Sequence, residues 1–180
     1  KEIWLHSSEG QEVTIIDGEG VRRGFLCEYP NWATYNTIIE GFTITNGYTN
    51  VDGGGMYIDG TFDMPGPENC TFTANSANNS GEMRNYGYSG PTLMDCTFIG
   101  NTAEWWASGG GMCILESSAT LTDCTFTGNT APNGGGMRNY GNNLGSDTVL
   151  INCVFTGNTS TAESGVGGGM YTSASNSTLT

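Results

Sequence analysis

Two aspartates occupy the same place in consecutive copies of a repeat. Asp95 and Asp123 each stand directly before a cysteine, 28 residues apart. If the two copies form neighbouring strands, their carboxylates lie roughly 5 Å apart. A carboxylate pair at that distance can bind a cation such as Ca²⁺ or raise the pKa of one partner. The alternative is structural, because Asx residues commonly shape the turn before a strand, and Asn69 and Asn152 continue the row.

Arg138 is the basic residue that we associate with this pair. It belongs to a tract, 137–141, that repeats residues 83–87 letter for letter. Duplication favours a structural role for Arg84 and Arg138 over a role as a single catalytic base. The lone His6 has no catalytic-triad pattern, and no zinc-type Cys/His spacing occurs. We predict no catalytic residue and no cofactor. The candidates, if the chain is an enzyme, are Asp95, Asp123 and Arg138, and the two aspartates are also the candidate ligands of a Ca²⁺ ion.

Outward-facing side chains of the repeats could form binding surfaces. Thr-x-Thr pairs recur in them, and the candidate binding threonines are Thr43, Thr45, Thr71, Thr73, Thr125 and Thr127. A Thr-x-Thr ladder on a flat face resembles the ice-binding surfaces of some antifreeze proteins, although threonine is also common on any solvated strand. Trp105 and Trp106 fall in a turn and suit sugar stacking, a protein contact or packing over the edge of the fold.

The elements that position these residues belong to a repeat. Its best copies begin at Cys70, Cys96, Cys124 and Cys153, with spacings of 26, 28 and 29 residues. Weaker copies upstream align Val13 and Phe42 with these cysteines, and Ile15 and Ile44 with the phenylalanines two residues after them. Strict alternation of apolar and polar residues indicates strands, and a period of about 28 residues fits one coil of a β-solenoid. We expect about six coils forming one domain over residues 1–180, with irregular first coils in 1–41 and regular repeats in 42–180.

Equivalent residues of stacked coils should form ladders inside the solenoid. The four repeated cysteines should point in parallel and stay free and buried, whereas Cys113, after Met112, should face outward. Asn75, Asn101, Asn129 and Asn158 should stack at a turn. A glycine-rich tract ending in methionine alternates with the cysteine motif, and its second copy reads Ser80-Gly81-Glu82-Met83.

The charge balance restricts the kind of partner. The chain has a formal net charge of −13 and only five basic residues, so it repels phosphate backbones and nucleic acid is not an expected partner. No apolar run approaches the length of a membrane span. Residues that favour long helices are scarce, which excludes a helical bundle.

The repeat motifs resemble those of right-handed parallel β-helices of the polymorphic outer-membrane-protein type, which carry FxxN and GGA[ILV] repeats. The FxxN matches are Phe72–Asn75, Phe98–Asn101, Phe126–Asn129 and Phe155–Asn158. The Gly-Gly-Gly-Met tracts are similar to the second motif, with Gly for Ala and Met for the aliphatic residue. The resemblance covers residues 42–180 and implies the architecture of the wider pectin-lyase-like superfamily.

The resemblance implies a secreted or cell-surface protein. We expect a non-enzymatic rigid stalk, adhesin or filament unit that is a fragment or stacked unit of a longer rod, with carbohydrate as a candidate ligand. Its partners would be a glycan or protein of a host surface or matrix, or copies of itself end to end. The alternatives are a polysaccharide lyase or hydrolase, as found in the wider superfamily, and an ice-binding protein.

Overall fold

The computed structural model describes residues 3–28, 37–60, 65–79, 81–87, 90–105, 109–141, 147–163 and 166–180. Every regular element in these ranges is a short β-strand. The strands are β1 (Ile3–His6), β2 (Ile15–Asp17), β3 (Phe25–Glu28), β4 (Thr37–Glu40), β5 (Thr43–Thr45), β6 (Tyr48–Thr49), β7 (Met56–Asp59), β8 (Pro65–Glu68), β9 (Thr71–Thr73), β10 (Ser76–Ala77), β11 (Met83–Tyr86), β12 (Thr92–Met94), β13 (Thr97–Ile99), β14 (Thr102–Ala103), β15 (Met112–Leu115), β16 (Thr120–Thr122), β17 (Thr125–Thr127), β18 (Thr130–Ala131), β19 (Met137–Tyr140), β20 (Asp147–Ile151), β21 (Val154–Thr156), β22 (Thr159–Ser160), β23 (Met170–Ser173) and β24 (Asn176–Leu179).

The strands form four parallel sheets, which we name after their inward residues or their length. The leucine sheet has the order β1-β4-β8-β12-β16-β20-β24, and the phenylalanine sheet has the order β2-β5-β9-β13-β17-β21. The short-strand sheet runs β22-β18-β14-β10-β6, and the methionine sheet runs β23-β19-β15-β11-β7-β3. Each strand pairs with its equivalent one turn of chain away, so the predicted parallel β-solenoid is confirmed.

One coil visits the four sheets in a fixed sequence: leucine, phenylalanine, short-strand, methionine. Five coils have all four strands, from β4–β7 to β20–β23, and β24 opens the next coil. The first coil contains β1, β2 and β3 but no short strand, because residues 18–22 form a tight turn there instead. With a strand spacing of roughly 4.8 Å, the six strands of the phenylalanine sheet extend over about 25 Å.

The core consists of stacks of like side chains. The rings of Phe72, Phe98, Phe126 and Phe155 lie nearly parallel, with successive centroids 5.0, 4.7 and 4.7 Å apart. Met83, Met112 and Met137 form a second fully buried column, and Leu93, Leu121 and Leu150 form a third. In these columns, equivalent positions of consecutive coils hold the same residue type. Each side chain in a column is therefore covered by the like side chains of the coils before and after it.

The predicted asparagine ladder is present at the turn after the phenylalanine sheet. Asn101 Oδ1 accepts hydrogen bonds from the backbone N–H and the Nδ2 of Asn75, at 3.0 and 3.3 Å. Asn101 Nδ2 donates to the carbonyl of Phe72 at 3.0 Å and to Asn129 Oδ1 at 3.1 Å. Asn129 repeats these contacts with Asn158. The amides therefore satisfy backbone groups that the turn would otherwise bury without partners.

The glycine triplets allow the closest approach of one coil to the next. At Gly110, a Cβ would collide with the carbonyl oxygen of Gly135 and would lie 2.8 Å from the backbone nitrogen of Thr130. At Gly136, a Cβ would lie 2.9 Å from the ring of Phe155. The triplets are therefore required by contact with the neighbouring coil and with the phenylalanine stack.

All six cysteines are free, and the four repeated ones lie in one interior column. The thiol of Cys96 donates to the carbonyl of Pro67 at 3.1 Å, and that of Cys70 donates to Ile39 at 3.5 Å. Burial raises the pKa of the Cys70 thiol, so it stays protonated. The expectation of free thiols is confirmed; Cys70, Cys96 and Cys124 are buried and Cys153, nearer the end of the solenoid, is half-buried.

One sequence-based expectation was wrong, at the first copy of the repeat. Ile16, not Ile15, pairs with Ile44 and joins the inward column, while Ile15 pairs with Thr43 and is 58% exposed. The assumed spacing was one residue too long, and a slip of one residue exchanges the two faces of a strand. Cys113 does face outward, in register with Arg84 and Arg138, and its side chain is buried because it lies between these two arginines of the adjacent coils.

Candidate functional site

The outer surface of the methionine sheet carries a row of arginines and tyrosines. In each strand of this sheet, the first and the third residues after the methionine point away from the core. In register from coil to coil, these outward residues include Tyr57, Arg84, Tyr86, Arg138, Tyr140 and Tyr171, which we call the arginine–tyrosine face.

Arg84 is held by an acidic residue of the preceding coil and by two aromatic rings. Its guanidinium forms an ion pair with Asp52, and both side chains are mostly buried. It also lies over the rings of Tyr86 and Tyr57, 5.0 and 5.8 Å from their centroids. Arg23 covers Tyr57 as well, at 5.1 Å. The guanidiniums therefore organise this end of the face and fix the planes of its rings.

Arg138 repeats this arrangement two coils further along. Its guanidinium lies 5.1 Å from the centroid of Tyr140 and 5.9 Å from that of Tyr171. Both tyrosines are half-buried, so part of each ring is accessible. Cys113 and Leu115 separate the two arginine clusters. The repeated tract thus gives two similar aromatic clusters on one surface, which agrees with a repeat-derived role for its arginines.

Tyr57 stays neutral over the physiological pH range. Burial raises the pKa of its phenol to about 12, and the charge of Asp59 adds to the effect. The phenol donates a hydrogen bond to Asp59 Oδ2 at 3.4 Å. The ring therefore offers an uncharged aromatic surface and a polar edge.

Trp105 lies at the corner that leads into the methionine sheet. Its side chain is 57% exposed, and its backbone N–H donates to the carbonyl of Asn78 in the preceding coil. The register of the short-strand sheet makes Trp105 equivalent to Val51, two coils earlier. Val51 directly precedes Asp52, the partner of Arg84, so the corner that contains Trp105 borders the arginine–tyrosine face. Trp106, the other predicted binding tryptophan, is outside the described residues.

Asp95 and Asp123 occupy turns rather than a cleft. Each joins a strand of the leucine sheet to one of the phenylalanine sheet with a left-handed backbone, at φ +51° and +54°. Asn69 and Asn152 have the same conformation, at +48° and +52°. Asp and Asn tolerate this region better than most residues, which explains the row structurally.

The structure does not bring Arg138 to this pair. Arg138 belongs to the methionine sheet, whereas Asp95 and Asp123 lie at the corner between two other sheets. In the described ranges, no three His, Cys, Asp or Glu side chains form an arrangement that could hold a metal ion.

The predicted threonines do form rows on the outer surface of the phenylalanine sheet. Thr43, Thr71, Thr97 and Thr125 stand in register in one row, and Thr45, Thr73 and Thr127 belong to the other, which Ile99 interrupts. One end of the surface is covered, because Thr43 donates to the carbonyl of Gln11 at 2.7 Å and Thr71 donates to its Oε1 at 2.8 Å.

Sequence reasoning missed the partners of the arginines. Neither Asp52 nor Arg23 belongs to a repeated motif, and no spacing links them to Arg84. The duplicated tracts were the available signal, since they showed that each arginine is followed two residues later by a tyrosine on the same face.

The comparisons with known proteins agree with this architecture. The family model of the Chlamydia polymorphic membrane protein repeat matches residues 123–136, which contain one FxxN motif and one glycine triplet. No curated protein and no solved structure matches the chain. In the part of the chain that the structure describes, no helix is long and apolar enough to span a membrane. The resemblance to β-helices of the polymorphic membrane protein type is confirmed, and it indicates a surface or outer-membrane repeat protein.

Proposed function

We propose that the chain is a non-enzymatic, rigid module of a cell-surface or secreted protein, and that this module binds glycan. The proposal starts from the solenoid fold and from its repeat of the polymorphic membrane protein type. The glycan lies on the arginine–tyrosine face, along the axis of the solenoid. The observation that carries the proposal is the register of the methionine sheet, which places two clusters of partly accessible tyrosines on one surface.

The packing of the interior makes the solenoid stiff, as a rigid module requires. Parallel phenylalanine rings and an amide ladder connect consecutive coils, so that bending the rod would break several contacts at once. A ligand surface on such a support keeps its spacing, and little conformational entropy is lost when an extended polymer binds.

The chemistry of the face suits sugar rings. The apolar side of a pyranose packs on an aromatic ring, while its hydroxyls bond to polar groups at the rim. Tyr140 and Tyr171 offer rings whose orientation Arg138 fixes, and Trp105 adds an exposed indole at the neighbouring corner. The recurrence of the cluster two coils away suits a repeating polymer better than a single small molecule.

The test is a screen of immobilised oligosaccharides with the purified chain, followed by calorimetry on the best ligand. Replacing one ring, as in Tyr140→Ala or Tyr171→Ala, should weaken binding about tenfold. Thr122→Ala is the matched control, because Thr122 points outward from the leucine sheet and lies away from the face. Equal affinities of Tyr140→Ala, Tyr171→Ala and the unaltered chain would refute binding at this face.

The threonine rows favour ice binding as a second candidate function. Thr73, Thr125 and Thr127 are half-buried, and their hydroxyls make no hydrogen bond to any described residue. Threonines about 4.8 Å apart within each row, along the rod axis, could order water.

Ice-crystal shaping and thermal hysteresis on a cold stage test this candidate. Thr125→Tyr should abolish both effects by breaking the flat surface, whereas Thr122→Tyr on the leucine sheet should not. Normal hexagonal growth with the unaltered chain would eliminate the candidate.

A further inference from the structure

A cleft with a volume of about 590 Å³ opens beside the first coil. Its walls include Arg22, Arg23, Tyr48, Thr49 and Asn50. It lies where the first coil lacks a short strand, because the turn at residues 18–22 shortens the path of the chain. β6 is consequently the edge of the short-strand sheet. The volume is within the usual range of small-ligand sites.

The cleft concentrates positive charge on an acidic protein. The chain has five basic residues and a net charge of −13, yet two of its arginines line this one cleft. The nearby carboxyl group of Asp52 is already paired with Arg84. Two further acids act on these arginines: the charge of Glu28 acts on Arg23, and Glu19 lies 3.5 Å from Arg22. Both side chains of the Arg22–Glu19 pair are highly exposed, so this pair is weak and easily exchanged for another anion.

Arg23 is held in place without a ligand. Its Nε and one terminal nitrogen donate to the carbonyls of Gly53 and Asp52 at 2.8 and 2.7 Å, and its guanidinium lies against Tyr57. It therefore provides a fixed positive wall, while the exposed Arg22 is the group that can move to a bound anion. A preorganised charge beside a mobile one limits the entropy lost on binding.

The backbone of Asn50 supplies a candidate hydrogen-bond donor to the cleft that this residue lines. Along the short-strand sheet, alternate N–H groups donate to the preceding coil: Tyr48 donates to the carbonyl of Arg22 at 2.9 Å. The next group in this alternation is the N–H of Asn50, and no described residue accepts its hydrogen bond, because the first coil has already turned away. A backbone amide that has no acceptor among the described residues, in a wall that also contains two arginines, is a favourable site for a carboxylate.

The remaining wall groups select a ring rather than a bare anion. Tyr48 is 37% exposed and offers an aromatic surface, and Val21 and Val51 add apolar side chains that are 65% and 45% exposed. The side-chain amide of Asn50 and the hydroxyl of Thr49 suit sugar hydroxyls.

We propose that this cleft binds a carboxylated sugar, such as a uronic acid, with the carboxylate between Arg22 and the Asn50 amide and the ring on Tyr48. The site lies at the corner beside the arginine–tyrosine face. The groups that would contact the sugar, at Arg22, Tyr48 and Asn50, are not residues of that face, although Arg23 lines the cleft and also covers Tyr57. The site therefore adds a ligand class to the chain and does not depend on glycan binding at that face.

The experiment is a titration of the full chain with glucuronate, followed by calorimetry and by two-dimensional amide NMR. We expect saturable binding with a shift of the Asn50 amide resonance. Arg22→Gln should weaken binding about tenfold, because a charged hydrogen bond is lost and Arg22 is too exposed for the change to unfold the chain. Thr122→Ala, on the leucine sheet and away from the cleft, is the control and should bind glucuronate normally.

Two further ligands separate charge from ring recognition. Glucose should bind at least tenfold more weakly than glucuronate, since it lacks the carboxylate, and inorganic phosphate should bind more weakly because it cannot stack on Tyr48. Equal binding of glucose, equal binding of phosphate or an unaffected Arg22→Gln variant would each overturn the proposal. Tyr140→Ala separates the two sites: it should impair binding at the arginine–tyrosine face and leave glucuronate binding intact.

Discussion

Glu82 is an acidic side chain in an interior that otherwise consists of apolar, amide and hydroxyl side chains. It stands where other coils have the third glycine of the triplet, and its side chain is fully buried. Burial raises the pKa of its carboxyl group well above the ordinary value. The neighbouring amides of Gly55 and Asn75 oppose the shift, but neither makes a well-formed hydrogen bond to the carboxyl oxygens. Glu82 is therefore a protonated acid in the folded protein at moderately acidic pH.

This burial predicts a fall in stability as pH rises. Between the ordinary pKa of a glutamate and the raised pKa of Glu82, the folded state holds a proton that the unfolded state has released. The free energy of unfolding should therefore decrease by up to about 1.4 kcal/mol per pH unit in this window. In urea unfolding at pH 5 and pH 8, Glu82→Gln should reduce this loss, whereas Glu163→Gln, at an exposed site, should leave it unchanged. Identical pH dependence in all three proteins would contradict the assignment.

Gly55 and Glu82 should be coupled energetically. A Cβ at Gly55 would collide with the carboxyl group of Glu82, and all three of the atoms nearest to that Cβ belong to Glu82. Gly55→Ala should therefore destabilise the chain, and adding Glu82→Gly should remove most of the penalty. A double-mutant cycle measures this coupling, for which we expect about 1–3 kcal/mol. Additive effects of the two substitutions would show that the side chain lies elsewhere.

Among the elements, the turn after the phenylalanine sheet depends on its asparagine. Asn101→Ala would remove four side-chain hydrogen bonds and leave the backbone N–H of Asn75 buried without an acceptor. We expect a loss of about 3–5 kcal/mol in the free energy of unfolding. Asn158→Ala, at a half-buried position of the same ladder, is the matched control and should cost less. Equal losses at both positions would mean that burial does not set the strength of the ladder.

At the scale of the whole molecule, stability should be greatest in the middle coils. Phe126 is fully buried between two stacked rings, whereas Phe155 has one such neighbour and is half-buried. Phe126→Ala should cost about 3–5 kcal/mol, and Phe155→Ala should cost clearly less. Chemical denaturation measures the two losses, and hydrogen exchange should show the slowest amides in β13 and β17. A larger loss for Phe155→Ala would contradict a stack stabilised by neighbours on both sides.

The sequence by itself determined the solenoid, its inward columns and its asparagine ladder. Each coil contacts mainly the coils before and after it, so a repeat in sequence becomes a stack in space without any other information. The same reasoning identified the outward threonine rows and the shared face of Arg84 and Arg138. It failed at Ile16, where the first copy is too degenerate to fix a register, and a shift of one residue exchanges inside and outside.

Only the tertiary structure showed which side chains meet on the surface of the repeated coils and in the cleft beside them. Three features each involve at least one residue that stands outside the repeat: the ion pair of Asp52 with Arg84, the contact of Gln11 with Thr43 and Thr71, and the cleft beside Tyr48. Non-repeating residues carry no periodic signal, so their partners depend on how each turn folds over the surface. The periodic part of the chain therefore specifies the rod, and the non-periodic part specifies the surfaces on which binding can be tested.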